Sequence, residues 1–410
     1  MGRLVIHLKQ HTPMWHFQAK ELGCCLRASE VKPKLDHFFA EKKGKKYQPL
    51  DYKMYFEVNE DQKVPISDTF RNEKGKEVDR YPIYFGNIGR RSKELIYYKG
   101  DIDMHLFSLD TDILRDISKL LPEFFACTSF GTRQNKGFGF FYPKEEEFNN
   151  NGASYYFDVD IPKYLKTDDD KFVEVFKYIE FFHKMIRSGV NLPNYRKPER
   201  SVYYKSFMYH YAKHRGTNWD KPIIRHHFQL YNNLYKRLCG LSIPVNITRE
   251  EMKKMYPELQ ELRKKGYANS RWLFRDALGL AGTQEWRAYS DTIFIEGKIE
   301  NEVIKRFKSP ITYRPVPMEN ENQKVYRVYI YLSPIPESYR KAVFTIKNKT
   351  ERKMTDLELY KDFSLEDYFD YIIRYCNTEG LVAGSGYNKY VENIFVRGDD
   401  NVLKFRKLKK

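Results

Sequence analysis

The sequence of 410 residues lacks any run of 18 apolar residues, the length that a membrane-spanning helix needs. Its opening segment, MGRLVIHLKQHTPMW, has only a short apolar stretch that His7 and Lys9 interrupt, so we expect no signal peptide. Cysteine is also scarce, and its five residues show neither metal-ligand spacing nor an even disulfide framework. These absences predict a cytoplasmic protein with reduced thiols and no membrane partner.

Acidic residues are fewer than basic residues in this sequence. The chain has 72 Lys and Arg residues but 55 Asp and Glu residues, which gives a net charge of +17 and a pI of about 9.3. A hydrophobic share of 41%, with 33 Tyr and 29 Phe, indicates a globular protein. The expected partner is a polyanion. Nucleic acid is the first choice and an anionic membrane surface the second. A solvated, lysine-rich surface would explain the same total.

Motifs for nucleotides, metals and activated nucleophiles are absent as well. The sequence contains no GxxxxGK[ST] loop, no GxGxxG fingerprint, no HExxH and no GxSxG elbow. We therefore expect no metal, no cofactor and no catalytic residue. His7, His11 and His16 cluster near the start, and one of them could act as a general base in a metal-independent ribonuclease.

The beginning of the chain has the element order β-α-β-β-α-β, which is typical of a ferredoxin-like domain. An alternating first strand at residues 3–17 precedes a helix in LRASEVKPKLDHFF, for which Ser29 is the expected N-cap. Strand-like pieces, KMYFEV and ELIYY, follow. The segment TDILRDISKLLPEFF predicts a second helix that Thr111 caps and Pro122 ends, and two more strands come after it.

The rest of the chain changes character twice. The segment DDDKFVEVFKYIEFFHKMIRSG predicts an amphipathic helix with Gly189 as its C-cap, and NITREEMKKMYPELQELRKKG predicts more helix. Afterwards SRWLFRDALGLAG predicts a helix capped by Ser270, VYRVYIYLSP a strand, SLEDYFDYIIRYC a helix capped by Ser364, and VENIFVRG a strand. An order of helix, glycine-rich loop and strand thus occurs at 111–142 and again at 364–397.

The segment TSFGTRQNKGFGFF, residues 128–141, is a glycine-rich loop between a predicted helix and a predicted strand. Glycine allows backbone amides to approach a ligand closely, and Arg133 and Lys136 add positive charge. Such a loop can hold a phosphate backbone. Composition alone also fits an ordinary surface turn.

Residues 195–237 form a basic stretch in which ten Lys or Arg residues outnumber two acids, for a net charge of +8. Ten aromatic residues are interleaved with these cations. Cations neutralise phosphates and aromatic rings stack on bases, so this mixture suits single-stranded nucleic acid. A helix pair with tyrosines at the edge of its core and solvated charges fits the same pattern.

The segments HTPMWHFQ, CCLRASEVKPKLDHFF and FGTRQNKGFGFF resemble the RAMP superfamily of type III CRISPR effectors. FKSPITYRPV followed by YRVYIYLSP is similar to a late strand pair of the type III-B (Cmr) subunit near the 3′ end of the guide RNA. The resemblance implies an α+β fold with two ferredoxin-like (RRM-like) RAMP domains, at 1–165 and 271–410, around a largely helical basic region at 166–270.

The resemblance also implies a non-catalytic RNA-binding subunit of a CRISPR antiviral ribonucleoprotein, with guide RNA, target RNA and other effector subunits as partners. The family pattern carries over to the start of the first helix and to the glycine-rich loop: Arg27, Ser29, Lys32, Gly131, Thr132, Arg133, Lys136, Gly137 and Gly139. The basic stretch adds further candidate RNA-binding cations: Arg200, Lys205, Lys213, Arg215 and Arg225.

Two other functions remain open on the sequence. One is a metal-independent RAMP endoribonuclease that processes CRISPR repeat RNA with a histidine as general base. The other is an assembly protein whose basic face binds an acidic protein.

Overall fold

A computed structural model gives the structure of the protein. It describes residues 2–16, 18–67, 69–71, 75–82, 95–150, 152–194, 196–228, 272–280, 284–288, 291–299, 302–304, 306–318, 324–349, 352–381, 386–398 and 401–408. The chain divides into two compact units. The first unit comprises Met1–Phe182, Ile311–Tyr331 and Asn393–Lys410, and the second comprises His183–Pro310 and Leu332–Glu392.

Both units contain helices and strands. The helices are α1 (Ala28–Lys42), α2 (Thr111–Cys127), α3 (Asp168–Arg187), α4 (Phe207–His214), α5 (Asp220–His227), α6 (Glu337–Arg340), α7 (Leu365–Thr378) and α8 (Lys389–Phe395). The strands before residue 228 are β1 (Gly2–Gln10), β2 (Met14–Trp15), β3 (Lys53–Val58), β4 (Thr69–Arg71), β5 (Glu77–Asp79), β6 (Leu95–Ile96), β7 (Asp101–Ser108), β8 (Phe141–Pro143), β9 (Ala153–Asp160), β10 (Val190–Leu192) and β11 (Val202–Tyr204). The later strands are β12 (Trp272–Leu273), β13 (Gln284–Ala288), β14 (Asp291–Ile299), β15 (Glu302–Val303), β16 (Ile311–Met318), β17 (Val325–Leu332), β18 (Val343–Asn348), β19 (Lys353–Leu359) and β20 (Arg406–Lys407).

The first sheet of the first unit has the strand order β3-β7-β1-β8, and its three pairings are antiparallel. Side chains alternate between its two faces, because successive residues of a strand point in opposite directions. Leu8, Met104 and Leu106 on one face are fully buried and share a core with Leu114 of α2 and Leu35 of α1. The opposite face carries most of the polar residues of these strands.

The second sheet of the first unit has the order β16-β17-β9-β20. Phe182 of α3 packs against Phe157 of β9 and Phe395 of α8, with ring centroids 4.9 and 5.2 Å apart. The same order of strands and helices occurs twice along the chain. The first set is β1, α1, β3, β7, α2 and β8, and the second is β9, α3, β16, β17, α8 and β20. Residues of the second unit form the connections from α3 to β16 and from β17 to α8.

The second unit contains a sheet with the order β12-β19-β18-β14-β13, to which β15 adds through β14, and the hairpin β10-β11. Its helices α4 and α7 pack together through aromatic residues. Tyr211 of α4 donates a hydrogen bond to Asp367 at 2.6 Å, and its ring lies 5.4 Å from that of Tyr371. The protein is thus of the α+β class. Among the described residues, no helix combines the length and apolar character that crossing a membrane requires.

Several predicted helix ends differ in the structure. Arg27, not Ser29, is the N-cap of α1. Asp110, not Thr111, caps α2 by accepting hydrogen bonds from the amides of residues 112 and 113. The helix also continues beyond Pro122 to Cys127, because the following turn buries two phenylalanines in the core. The caps at Ser364 and Gly189 are confirmed: Ser364 accepts from Asp367, and the Gly189 amide donates to the Lys184 carbonyl.

Two predicted elements in the later part of the chain are wrong. The first five residues of VENIFVRG belong to a helix instead of a strand, since Val391, Ile394 and Phe395 lie about one turn apart and are all fully buried. The described part of SRWLFRDALGLAG forms the short strand β12 and a 3₁₀ turn at Arg275–Leu278 instead of a helix. The helix predicted in NITREEMKKMYPELQELRKKG and the cap at Ser270 lie outside the described residues. The division at residues 165 and 270 therefore stays a prediction.

Candidate nucleic-acid interface

The glycine-rich loop connects the end of α2 to β8 and has an unusual backbone. Arg133, Gly131, Gly137 and Gly139 have φ values of 59°, 74°, 93° and 67°. This left-handed region is open to glycine, but it costs other residues roughly 1–2 kcal/mol because of the Cβ atom. Four residues therefore determine the path of the loop.

Two of these glycines are also required by close packing. A Cβ atom on Gly131 would lie 2.5 Å from the carbonyl oxygen of Trp15 and 2.6 Å from Met14 Cγ. A Cβ atom on Gly139 would lie 2.9 Å from the carbonyl carbon of Phe130 and still closer to its oxygen. Real Cβ atoms do not approach backbone so closely. The loop is consequently a packed structure and not a loose turn.

The amides of the same glycines bond to acceptors of the chain itself. Gly131 N–H donates to Glu30 Oε1 at 3.1 Å, and Gly139 N–H donates to the Pro13 carbonyl at 2.9 Å. Thr12 Oγ1 further ties the loop to the end of β1 by donating to the Gly137 carbonyl at 2.7 Å. In this conformation, internal acceptors already occupy the amides of Gly131 and Gly139.

The two cations of the loop lie over aromatic rings. The Arg133 guanidinium carbon is 4.5 Å from the centroid of Trp15, and Nη1 donates to the Pro82 carbonyl at 3.0 Å. Lys136 Nζ is 5.7 Å from the centroid of Tyr313. Both side chains are half-buried. Thr132, which lies between Gly131 and Arg133, is exposed. Cation–π contacts hold the charged groups in place and leave part of each in contact with solvent.

The three predicted residues at the start of α1 have different surroundings. Arg27 Nη1 donates to Gln18 Oε1 at 3.4 Å, and Ser29 is exposed. Lys32 donates to Asp36 Oδ2 and to the Leu50 carbonyl, both at 2.8 Å. Two internal acceptors thus already hold the Lys32 ammonium.

Glu30 and Lys34 of α1 anchor the glycine-rich loop and were missed by the sequence reasoning. Lys34 Nζ pairs with Glu30 Oε1 at 3.0 Å and donates to the Ser129 carbonyl at 3.1 Å. Glu30 in turn accepts from Gly131, as described above. Their i, i+4 spacing indicates a helical ion pair but contains no sign of a partner 100 residues away.

Arg314 of β16 is a second unpredicted anchor. Its side chain is 2% exposed and donates from Nε to the Ala126 carbonyl at 3.2 Å and from Nη2 to the Cys127 carbonyl at 2.8 Å. These are the last carbonyls of α2, where a cation also interacts favourably with the helix dipole. Burial lowers the pKa of Arg314 to about 10. The guanidinium fixes the helix end from which the loop departs.

The cations of the basic stretch lie in the second unit. Lys205 Nζ and Lys213 Nζ approach the Tyr209 ring to 4.6 and 4.7 Å, and both lysines are exposed. Burial, together with the charges of the two lysines, lowers the pKa of the adjacent His210 to about 4, so this imidazole is neutral near pH 7. Lys205, Tyr209 and Lys213 form one compact basic cluster on α4 and the residues before it.

The other predicted cations of this stretch have different surroundings. Arg200 is exposed in a 3₁₀ turn, and Arg225 is half-buried on α5. Arg215 lies 5.7 Å from the Tyr211 ring and 3.9 Å from Asp367. Residues 229–237 of the stretch lie outside the described residues.

The three N-terminal histidines have contrasting environments. Desolvation lowers the pKa of His11, whose ring stacks on Phe140, to about 3, and burial also lowers the pKa of His16. His7 is 46% exposed, and a 2.7 Å hydrogen bond to Asp103 raises its pKa. Of the three, His7 is the most exposed. Within the described part of the chain, no group of three or more His, Cys, Asp or Glu residues could hold a metal ion.

Comparison with protein families gives two matches. The Cmr1 N-terminal domain family matches residues 1–190, and the Cmr1 C-terminal domain family matches residues 203–393. The two matches together span most of the chain and include the glycine-rich loop and the basic cluster. No curated protein matches the sequence.

Proposed function

The chain belongs to the Cmr1 family, the RAMP-like subunits of type III-B CRISPR effectors, and we propose that it is a non-catalytic RNA-binding subunit of such a complex. Family membership confirms the resemblance found in the sequence, and it implies assembly with other Cmr subunits and guide RNA. In the proposal, both guide and target RNA contact the protein through their backbones, in the cytoplasm.

The repeated strand order of the first unit supports the proposal of two ferredoxin-like RAMP halves. Each sheet has four strands, counted here in chain order. In both sheets the fourth strand lies beside the first, and the third lies between the first and the second. That order, with a helix after the first strand and another after the third, is characteristic of the ferredoxin-like and RRM-like fold. One half would then be built from β1 to β8 and the other from β9, β16, β17 and β20.

The observation that carries the proposal is the glycine-rich loop with its two fixed cations. Its backbone is set by four left-handed residues and anchored by Glu30, Lys34 and Thr12. Arg133 and Lys136 are held over aromatic rings with part of each side chain in solvent. Pre-positioned cations lose little conformational entropy when they contact a phosphate. The exposed pair Lys205 and Lys213 on either side of Tyr209 offers a similar arrangement in the second unit.

Removal of either loop cation tests this proposal. We expect Arg133→Ala and Lys136→Ala each to weaken binding of single-stranded RNA about equally for different sequences. Each should lower the slope of log affinity against log salt by about one unit, because one phosphate contact is lost. The measurement is fluorescence anisotropy of labelled RNA with the purified protein at four KCl concentrations.

Arg115→Ala is the matched control, because this arginine of the first unit is 63% exposed on α2 and pairs locally with Asp112. Its RNA affinity should equal that of the parent. Melting temperatures of all three variants exclude unfolding as a cause. If both loop variants bind RNA like the parent, the loop does not hold the RNA backbone.

The alternative of a metal-independent ribonuclease depends on His7, the exposed histidine with a carboxylate partner. We expect no cleavage of labelled CRISPR repeat RNA by the purified protein in EDTA, because general acid–base cleavage needs a second acid–base group, and Asp103, the described partner of His7, is already hydrogen-bonded to its ring. Gel analysis of the RNA over several hours is the measurement. Specific cleavage that disappears in His7→Ala would replace the proposed function with the enzymatic one.

A further inference from the structure

The face of the first sheet that points away from α1 and α2 carries a row of aromatic side chains. Tyr55 of β3 lies directly opposite His105 of β7, and Phe107 is the next residue of β7 on the same face. The Tyr55 ring is nearly parallel to both, with centroid distances of 4.4 Å to His105 and 5.8 Å to Phe107. Tyr55 is 44% exposed, whereas His105 beneath it is buried. A flat aromatic surface is thus presented to solvent.

Cations flank this surface from both neighbouring strands. Arg3 of β1 and Lys53 of β3 are both register partners of Phe107, one on each side, and both are exposed. The Arg3 guanidinium carbon lies 5.6 Å from the Phe107 centroid, and its Nη2 is 3.2 Å from His105 Nδ1.

The acids on the same face each have a basic neighbour. Asp103 bonds to His7, Asp101 pairs with Lys144 at 2.7 Å, and Glu57 lies 3.1 Å from His105 Nε2. The two register partners of Phe107 are therefore both positive, while the acids lie farther along the face beside these other residues. This distribution is complementary to a polyanion with planar groups.

We propose that Tyr55 and Phe107 form a stacking platform for a base of single-stranded RNA, with Arg3 and Lys53 at the adjoining phosphates. The proposal rests on the proposed RNA-binding function and adds a site distinct from the glycine-rich loop. The open face of a four-stranded RRM sheet binds bases in this way, through aromatic residues on adjacent strands. Stacking on aromatic rings accepts any base, so sequence preference is not required.

The connection of this face to the loop favours RNA over an unrelated ligand. The strand β1 carries Arg3 near one end of the sheet, and at its other end Thr12 bonds to the loop that holds Arg133 and Lys136. In this proposal, a single RNA strand runs along β1 from Arg3 towards the loop, a path that a small anion would not follow.

Two substitutions of Tyr55 separate stacking from folding. Tyr55→Leu keeps an apolar cover over His105 but removes the aromatic ring, and Tyr55→Phe keeps the ring. We expect Tyr55→Leu to weaken binding of a labelled single-stranded RNA roughly 5- to 100-fold. The slope of affinity against salt should not change, because no phosphate contact is removed. Tyr55→Phe should bind like the parent.

Tyr164→Leu is the matched control, since Tyr164 is a 71% exposed tyrosine of the same unit. Cross-linking of 5-iodouridine RNA, followed by mass spectrometry, should also label the peptide that contains Tyr55. If Tyr55→Leu binds like the parent while Arg133→Ala is weakened, the platform is wrong and the proposed function stands. If the parent itself does not bind RNA, both are wrong. Equal weakening by Tyr164→Leu or by Tyr55→Phe would also overturn the platform.

Discussion

An increase in KCl from 50 to 200 mM is expected to weaken RNA binding by the purified protein by a factor of roughly 10³ to 10⁵. This loss corresponds to six to ten phosphate contacts, each of which displaces condensed counterions from the RNA. The expectation rests on the net charge of +17, to which Arg133, Lys136, Lys205 and Lys213 contribute. At the lower salt concentration, affinity should be micromolar or better.

The measurement is a titration of labelled single-stranded RNA at several salt concentrations, with the logarithm of the affinity plotted against that of the salt. A heteropolymer and a homopolymer of the same length should give the same slope, because phosphates are common to both. A flat response would exclude a phosphate clamp. In that case the basic surface would fit an acidic protein partner better, which is the assembly function left open by the sequence.

The local elements of this fold could be predicted from the sequence, because their determinants lie within a few residues. Alternation of apolar and polar residues predicted β1, although the strand predicted at 3–17 extends beyond its observed end at Gln10. Strand-like segments were also predicted where β3 and β17 lie, and a helix with a capping serine where α7 lies. The glycine-rich loop was also predicted between a helix and a strand, where the structure has it. Short elements were predicted less well, since seven residues of α8 fit a buried strand as well as a helix.

The second sheet could not be predicted, because its strands are far apart in the sequence. Strand β9 pairs with β17 and β20, which follow it by more than 160 residues, with the second unit's residues in between. Local patterns do not encode which distant strands pair. The sequence predicted a second order of helix, glycine-rich loop and strand at 364–397. The last element of that segment is the helix α8 and not a strand.

The same limit applies to the candidate site. Arg133 and Lys136 stand out in the sequence because they are charged residues among glycines. Their anchors do not stand out, since Glu30 resembles any surface acid and Arg314 any strand arginine. Each acts as an anchor only through a contact with a backbone group far away in the sequence. Residues that position a site are therefore the part that sequence reasoning misses first.

The structure gives the glycines of the loop a definite role, which makes Gly139→Ala the most destabilising substitution that we expect there. Gly139 combines a φ of 67° with a backbone neighbour so close that a Cβ atom has no space. The left-handed conformation costs alanine roughly 1–2 kcal/mol, and the overlap with Phe130 adds roughly 1–3 kcal/mol through displacement of this buried residue. We expect a fall in melting temperature of roughly 5–15 °C.

Gly44→Ala is the control that isolates the overlap from the backbone strain. Gly44 has nearly the same φ, 61°, but no atom lies within 4 Å of its Cβ position. Its substitution should therefore cost only the conformational part, and calorimetry of both variants gives the difference directly. RNA binding of the Gly139→Ala variant at a temperature where it is folded should also be weaker, because a displaced loop no longer holds Arg133 over Trp15. Equal melting temperatures for the two variants would show that the loop is not packed against Phe130 as described.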